Sequence, residues 1–247
     1  MNMTPYFAEL FGTFMLLLLG VGINANCSLK ATAAEKQHNW ILISSGWGLA
    51  VFVSVFIAGQ FSGAHLNPAV TLGLAVAGKF SWQLVPGYIG TQLIGAFLGA
   101  YTAFFAYRDH YNATTEEATV RSTFCTGPLI RNYKNNFITE LIGTFVLVFC
   151  ALSIVNPSIA IEGMEVENFG LGALEALPIG LVVWVIGIAL GGATGYAINP
   201  ARDLGPRLVY QSLARKNKDA DWAYSWVPIF GPFVGGSIAG GLYLFLA

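Results

Sequence analysis

Long apolar stretches alternate along this chain with short polar connections that carry most of its charge. Six stretches reach the roughly 20 residues a helix needs to cross ~30 Å of hydrocarbon: Tyr6 to Ile23, Trp40 to Gly59, Trp82 to Tyr107, Phe137 to Val155, Leu174 to Gly192 and Tyr224 to Phe245. Two further apolar runs are shorter, and each opens with Asn-Pro-Ala, at Asn67 to Ala69 and at Asn199 to Ala201. The run Pro68 to Gly78 makes only ~16 Å of helix at 1.5 Å per residue, half a membrane core, and Asn199 to about Gln211 behaves likewise. Irregular backbone at membrane depth survives only where it is packed in protein or lines a wet cavity. The pattern therefore predicts an all-α membrane protein with six transmembrane helices and two re-entrant half-helices around a pore.

The chain also repeats itself. Ala8-Glu9-Leu10-Phe11-Gly12-Thr13-Phe14 returns as Thr139-Glu140-Leu141-Ile142-Gly143-Thr144-Phe145, an offset of 131. The two triplets are 132 positions apart, and Gly59/Gly191, Ser62/Thr194, Gly63/Gly195 and Gly73/Gly205 match at that offset. Gly90, Gly95 and Gly99 answer to Gly231, Gly236 and Gly240 at an offset of 141. Three crossings per unit turn the second copy upside down, an inverted repeat. The expected division is 1–107 as the first repeat with half-helix 67–78, 108–136 as a connecting loop, and 137–247 as the second repeat with half-helix 199–211. Two half-helix N-termini then meet at mid-membrane, each with a partial charge of about +0.5 that repels cations. Proline suits the first turn of each. Asn67 and Asn199 suit the caps, and their amides can also donate to a passing oxygen, so the duplication favours a pore-centre role over capping alone.

Composition narrows the class. With 55% hydrophobic residues, 10% charged residues and a mean hydropathy of +0.62, a soluble domain is excluded. The first stretch lacks a basic leader and a cleavage site and reads as a retained helix. Net charge is -1 with no basic block, which leaves nucleic-acid binding without support. Cys27, Cys125 and Cys150 have no metal-ligand spacing, and no metal or cofactor is expected. A Cys27–Cys125 bridge stays open, although unpaired small hydrophobes are the preferred reading. Glu9 and Glu140 lie inside spans, where ionised groups are expensive unless hydrogen-bonded. An acid/base pair would need a nucleophile, metal or phosphate loop that the chain lacks. They are expected to be structural acceptors for N–H groups of the re-entrant loops, and the chain is not expected to be an enzyme. His65 reads as a structural hydrogen-bond partner rather than a proton relay. Gly95/Gly99 and Gly236/Gly240 read as close helix packing.

The strings Ser62-Gly63-Ala64-His65-Leu66-Asn67-Pro68-Ala69-Val70-Thr71 and Gly195-Tyr196-Ala197-Ile198-Asn199-Pro200-Ala201-Arg202-Asp203 resemble those of the aquaporin superfamily, the major intrinsic proteins, and the resemblance covers essentially the whole chain. Asp203 directly after Asn-Pro-Ala-Arg, Arg207 four residues on, and Pro228-Ile229 are similar to the glycerol-facilitator branch, with isoleucine where that branch usually has leucine. The resemblance implies an aquaporin-like fold in the cell membrane and a homotetramer with one pore per subunit. It implies a selectivity filter of Trp47, Gly187, Tyr196 and Arg202, in which a guanidinium with several fixed donors faces an apolar aromatic wall, an arrangement suited to a polyol. It implies pore-lining carbonyls at Gly63, Ala64, His65, Leu66, Tyr196, Ala197 and Ile198. By spacing, Asp203 with Arg207 fits an i,i+4 pair that props the half-helix.

The expected function is a passive channel for glycerol and other small uncharged solutes, with some water, that excludes protons and ions. The alternative is a water-selective channel, disfavoured by Asp203 and by Gly187, where such relatives generally have histidine. A coupled transporter lacks an ionisable relay beside the triplets. Orientation is contested: Lys30, Lys36, Arg108, Arg121, Arg131, Lys134, Arg207, Arg215, Lys216 and Lys218 all fall in the first, third and fifth loops. The positive-inside rule would place those loops in the cytoplasm. The resemblance implies the opposite, and is the reading adopted.

Overall fold

A computed structural model describes residues 3–35, 39–155, 158–159, 167–168 and 170–247, so Lys36 lies outside the described residues. The helices in chain order are α1 (Pro5–Ser28), α2 (Trp40–Ser62), α3 (Pro68–Val76), α4 (Val85–Ala106), α5 (Arg108–Ala113), α6 (Glu117–Phe124), α7 (Tyr133–Ser153), α8 (Leu177–Leu190), α9 (Pro200–Ser212) and α10 (Trp226–Leu246). A 3-10 turn, Gly172–Ala176, extends α8 at its start, and Ser158–Ile159 pairs antiparallel with Glu167–Asn168. Six helices, α1, α2, α4, α7, α8 with its 3-10 turn, and α10, are long and apolar enough to cross a membrane. The two half-helices are α3 and α9, both with proline in the first turn.

Helix boundaries follow local chemistry. Thr4, Asn39 and Asn132 cap α1, α2 and α7 by accepting from backbone N–H groups of the first turn, which satisfies donors that have no partner inside the helix. Gly63 stops α2 in the left-handed region at φ +79°. The segment 108–136, expected as a loop, contains α5 and α6, which are too short and too polar to stand out as apolar stretches. Val120 and Phe124 of α6 are nevertheless fully buried, because α6 packs on α1 and α9.

The packing carries the inverted repeat. The helix pair α1 with α4 is answered by α7 with α10, and each half-helix leans on a span of the other unit, α3 on α10 and α9 on α4. On the axis between units, α2 crosses α8 where Gly48 and Gly180 face one another: a Cβ on Gly48 would lie 3.0 Å from the Gly180 carbonyl oxygen, and one on Gly180 2.9 Å from that of Gly48. Gly95 and Gly99 do allow close helix packing, bringing α4 onto the Leu10 and Phe14 carbonyls, while Gly236 and Gly240 bring α10 onto α3 at Ala69 and Gly73. These contacts correct the glycine register. Gly95 meets the Leu10 carbonyl as Gly235 meets that of Leu141, so the offset late in the repeat is 140, and Gln92 stands opposite Pro232.

Large apolar side chains such as Leu49, Ile94 and Val185 face outward, whereas Glu9, Gln92, Glu140, Asp203 and Arg207 are buried. That distribution suits lipid outside and a polar interior. Cys27, Cys125 and Cys150 are all unpaired, so the Cys27–Cys125 bridge does not form.

Candidate pore and selectivity filter

Each half-helix is reached through a loop that no ordinary sequence would adopt unaided. Gly63, Ala64 and Leu66 have φ of +79°, +48° and +51°, and Gly195, Tyr196 and Ile198 have +80°, +36° and +42°. For non-glycine residues this region costs about 1–3 kcal/mol each and persists only when the surroundings over-determine it. The over-determination comes from two carboxylates. Glu9 accepts from His65 N (2.9 Å), Leu66 N (2.8 Å), Ser62 Oγ (2.7 Å) and Gln92 Nε2 (2.7 Å). Glu140 accepts from Ala197 N (3.0 Å), Ile198 N (2.8 Å) and Thr194 Oγ1 (2.7 Å). With the N–H groups drawn back to buried acceptors, residues 63–66 and 196–198 all line one internal cavity of about 330 Å³. Glu9 and Glu140 each accept backbone N–H groups of one of the two loops.

At the meeting point Asn67 and Asn199 divide their amides between two tasks. Asn67 Oδ1 accepts from Ala69 N at 2.8 Å, and Asn199 Oδ1 from Ala201 N at 3.0 Å and Arg202 N at 3.2 Å, so each caps its own helix. Asn67 Nδ2 donates to the Ile198 carbonyl at 2.8 Å, and Asn199 Nδ2 to that of Leu66 at 2.9 Å. One N–H of each amide is left over, because an NH₂ group has two. Each asparagine thus caps its helix and lines the cavity at once. The carbonyls of Leu66 and Ile198, expected among the pore-lining acceptors, each already hold one donor and keep one lone pair.

Toward one mouth the cavity is walled by Trp47, Tyr196 and Arg202. The Arg202 guanidinium lies 4.1 Å over the Trp47 ring, a cation–π contact, and its Nη1 is buried without a hydrogen-bond partner among the described residues. Trp47 is fixed in turn by Nε1 donating to Asn24 Oδ1 at 3.1 Å. Gly187 stands behind Tyr196: a Cβ there would lie 2.8 Å from Tyr196 Cζ and 3.0 Å from its Oη. The room left by the missing side chain is taken up by the tyrosine ring.

Behind Arg202, Asp203 and Arg207 form a fully buried ion pair, Nε to Oδ2 at 2.7 Å. Asp203 Oδ1 also accepts from Thr126 N at 2.9 Å and Thr126 Oγ1 at 2.5 Å. Arg207 donates onward to the carbonyls of Thr126, Ala220 and Asp221. The pair joins two positions one turn apart on α9 and ties them to the connections at 126 and 220–221.

The family profile described as Major intrinsic protein matches residues 1–243. The chain belongs to this family. Among relatives of this major intrinsic protein, the "Probable glycerol uptake facilitator protein" of Thermotoga maritima is 48% identical over 99% of this chain and 100% of its own length. "Glycerol uptake facilitator protein 3" of Lactiplantibacillus plantarum is 45% identical over 95% of this chain and 93% of its own. The X-ray structure of the aquaglyceroporin from Plasmodium falciparum superposes with a TM-score of 0.80 at 33% identity, covering 98% of both chains.

Several residues that build the site in this major intrinsic protein escape sequence reasoning. Gln92 joins Glu9 to Thr71 (Nε2 to Oγ1 2.9 Å), and Asn24 joins Trp47 to the Thr123 carbonyl. Gln92 is a polar residue inside the apolar stretch Trp82 to Tyr107, a signal that could have been followed, whereas Asn24 falls just past the end of the first stretch. Thr126 carries no such signal. His65 sits in its expected structural role, with Nδ1 3.1 Å from Thr71 Oγ1 and its ring against Phe80 and Tyr88.

Proposed function

We propose that this integral membrane protein is a passive channel for glycerol and other small uncharged solutes, with some water, that excludes protons and ions. The carrying observation is the reciprocal junction of Asn67 and Asn199 inside a cavity that is also lined by Tyr196 and by the Arg202 guanidinium stacked over Trp47. Two helix N-termini and two leftover amide donors disfavour cations and orient a file of oxygens. The ladder of loop carbonyls accepts from solute hydroxyls, and the aromatic wall takes their carbon backbone. The printed names of the relatives, glycerol uptake facilitators and an aquaglyceroporin, support the same reading. Family members are membrane channels and transporters rather than enzymes.

On this reading Asn67 and Asn199 are the pore centre, Trp47, Gly187, Tyr196 and Arg202 the filter, and the residues 63–66 and 196–198 the carbonyl ladder. Glu9, Glu140, Asp203 and Arg207 are its structural supports. The repeats are 1–107 and 137–247, joined by 108–136, and the working unit is a homotetramer in the cell membrane. The test is flux into liposomes carrying the purified protein. Glycerol entry that is fast, insensitive to ion gradients and unsaturated supports the proposal. Fast water flow with negligible glycerol entry would favour a water-selective channel, and dependence on an ion gradient would favour a coupled transporter.

A further inference from the structure

The aromatic wall of the filter is seated by a residue outside the cavity lining. Trp40 opens α2, placed by Asn39, whose Oδ1 accepts from Ile41 N at 2.9 Å. It is 36% exposed, and tryptophan at the end of a span is ordinarily an interfacial anchor. Its indole N–H points inward instead, donating to the Gly187 carbonyl at 2.8 Å. That carbonyl lies in the last turn of α8, where the helical bond from Gly191 N is stretched to 3.3 Å and a terminal carbonyl calls for an outside donor. The Trp40 ring also meets Tyr196 edge-on, with centroids 5.7 Å apart at 80°, the arrangement favoured by aromatic quadrupoles.

Glycine usage records the same seat. A Cβ on Gly191 would lie 2.8 Å from Trp40 Cζ2 and would overlap the Tyr196 ring, whereas its repeat partner Gly59 has nothing within 4 Å. One turn into α2, the Ser44 Cβ lies 3.1 Å from the point where Gly187 would carry a side chain, beside the Tyr196 hydroxyl. Tyr196 thus rests in a socket made by Trp40, Ser44, Gly187 and Gly191.

We propose that Trp40 is a positioning residue that sets the width of the filter by holding the Tyr196 ring. The inference rests on reading Trp47, Gly187, Tyr196 and Arg202 as the filter. Trp40 itself does not touch the solute. Without the indole the tyrosine ring falls back into the space it leaves, the passage opens, and longer polyols gain more than glycerol does.

The experiment measures water, glycerol, erythritol and ribitol entry by stopped-flow light scattering, with full-length wild type, W40F, W40A, G191A and G59A in liposomes. Loss of folded channels scales every flux by one factor and leaves solute ratios fixed, so the ratio reports the filter. The erythritol-to-glycerol ratio is expected to rise about threefold or more in W40A and less in W40F. It is expected to fall in G191A, which pushes the ring inward, and to match wild type in G59A. Where W40A fails to reconstitute, W40F and G191A decide. Wild-type ratios in every Trp40 and Gly191 variant with measurable flux would overturn the inference while leaving the glycerol channel intact. A wild type that passes water alone would overturn the glycerol reading, and Trp40 would then be judged by whether W40A gains glycerol entry, with no gain counting against it.

Discussion

The two mouths of the cavity are repeat partners built from opposite chemistry. At the offset of 132, Trp47, Gly187, Tyr196 and Arg202 correspond to Ile179, Val55, Ala64 and Val70, all four of which line the other half of the same cavity. The backbone device is common to both ends: left-handed loop residues, a buried glutamate drawing back the N–H groups, and a capping asparagine. Among these four pairs, large aromatic and charged side chains stand at one end only. The supports differ in the same sense. In α3, Thr71 joins a hydrogen-bonded cluster with Gln92 and His65, while its partner Asp203 in α9 pairs with Arg207 and reaches Thr126. The plain mouth needs only a braced loop. The mouth that carries Arg202 must also gather the connections at 126 and 220–221, and long-reaching charged donors do that.

Removing Asp203 is the sharpest way to break the comparison. Asp203→Ala strands the fully buried Arg207 and is expected to cost about 3–5 kcal/mol, against about 1 kcal/mol for Thr71→Val at the matching position. Thermal unfolding in detergent measures both, and equal losses would erase the distinction between the supports. Gln92→Leu takes one donor from Glu9, at an expected cost of about 1–3 kcal/mol, read by the same melts. A second repeat brought toward the first by Arg202→Val is expected to lose about tenfold of its preference for glycerol over larger polyols. An unchanged solute profile would take Arg202 out of the filter.

The smallest expected effect is acid loosening of the outer connections. Burial tends to raise the Asp221 carboxyl, but the hydrogen-bonded Arg131 guanidinium outweighs it and holds the group below the usual carboxylate range. A depressed value in the folded state means that the stabilisation is present at neutral pH and is lost as pH falls below about 4. With Arg131 well exposed, the change is expected to stay within about 1 kcal/mol. Amide protection over 126–133, taken relative to the intrinsic exchange rate at each pH, that is no weaker at pH 3.5 than at pH 7 would assign that pair no role.

What could be read from residue order alone was whatever the bilayer enforces. Span length, the two proline-bearing short runs and the repeated Glu-containing segments follow from lipid refusing unpaired backbone, so six spans and two half-helices were visible before any coordinates. The buried charges Glu9, Glu140 and Arg202 announced themselves by being costly where they stand. Side-chain partners across the repeat carried weaker signals. Trp40 looks like any interfacial tryptophan until its N–H is traced, and Thr126 is one threonine among many in a polar connection. The count of basic residues could not show that Arg121, Arg131, Arg207 and Arg215 each face a carboxylate that ties one loop to another or braces α9. The one-residue error in the late glycine register arose because Gly235 and Gly236 are adjacent, and only the carbonyls they approach tell them apart.

The crossed amide bonds from Asn67 to Ile198 and from Asn199 to Leu66 have a consequence for biosynthesis. The first re-entrant segment leaves the ribosome about 130 residues before its acceptor exists, so it must wait in an unfinished state while the rest of the chain is threaded into the bilayer. A nascent chain halted after residue 136 should therefore expose its Asn67 loop to protease, and release of the complete chain should close it.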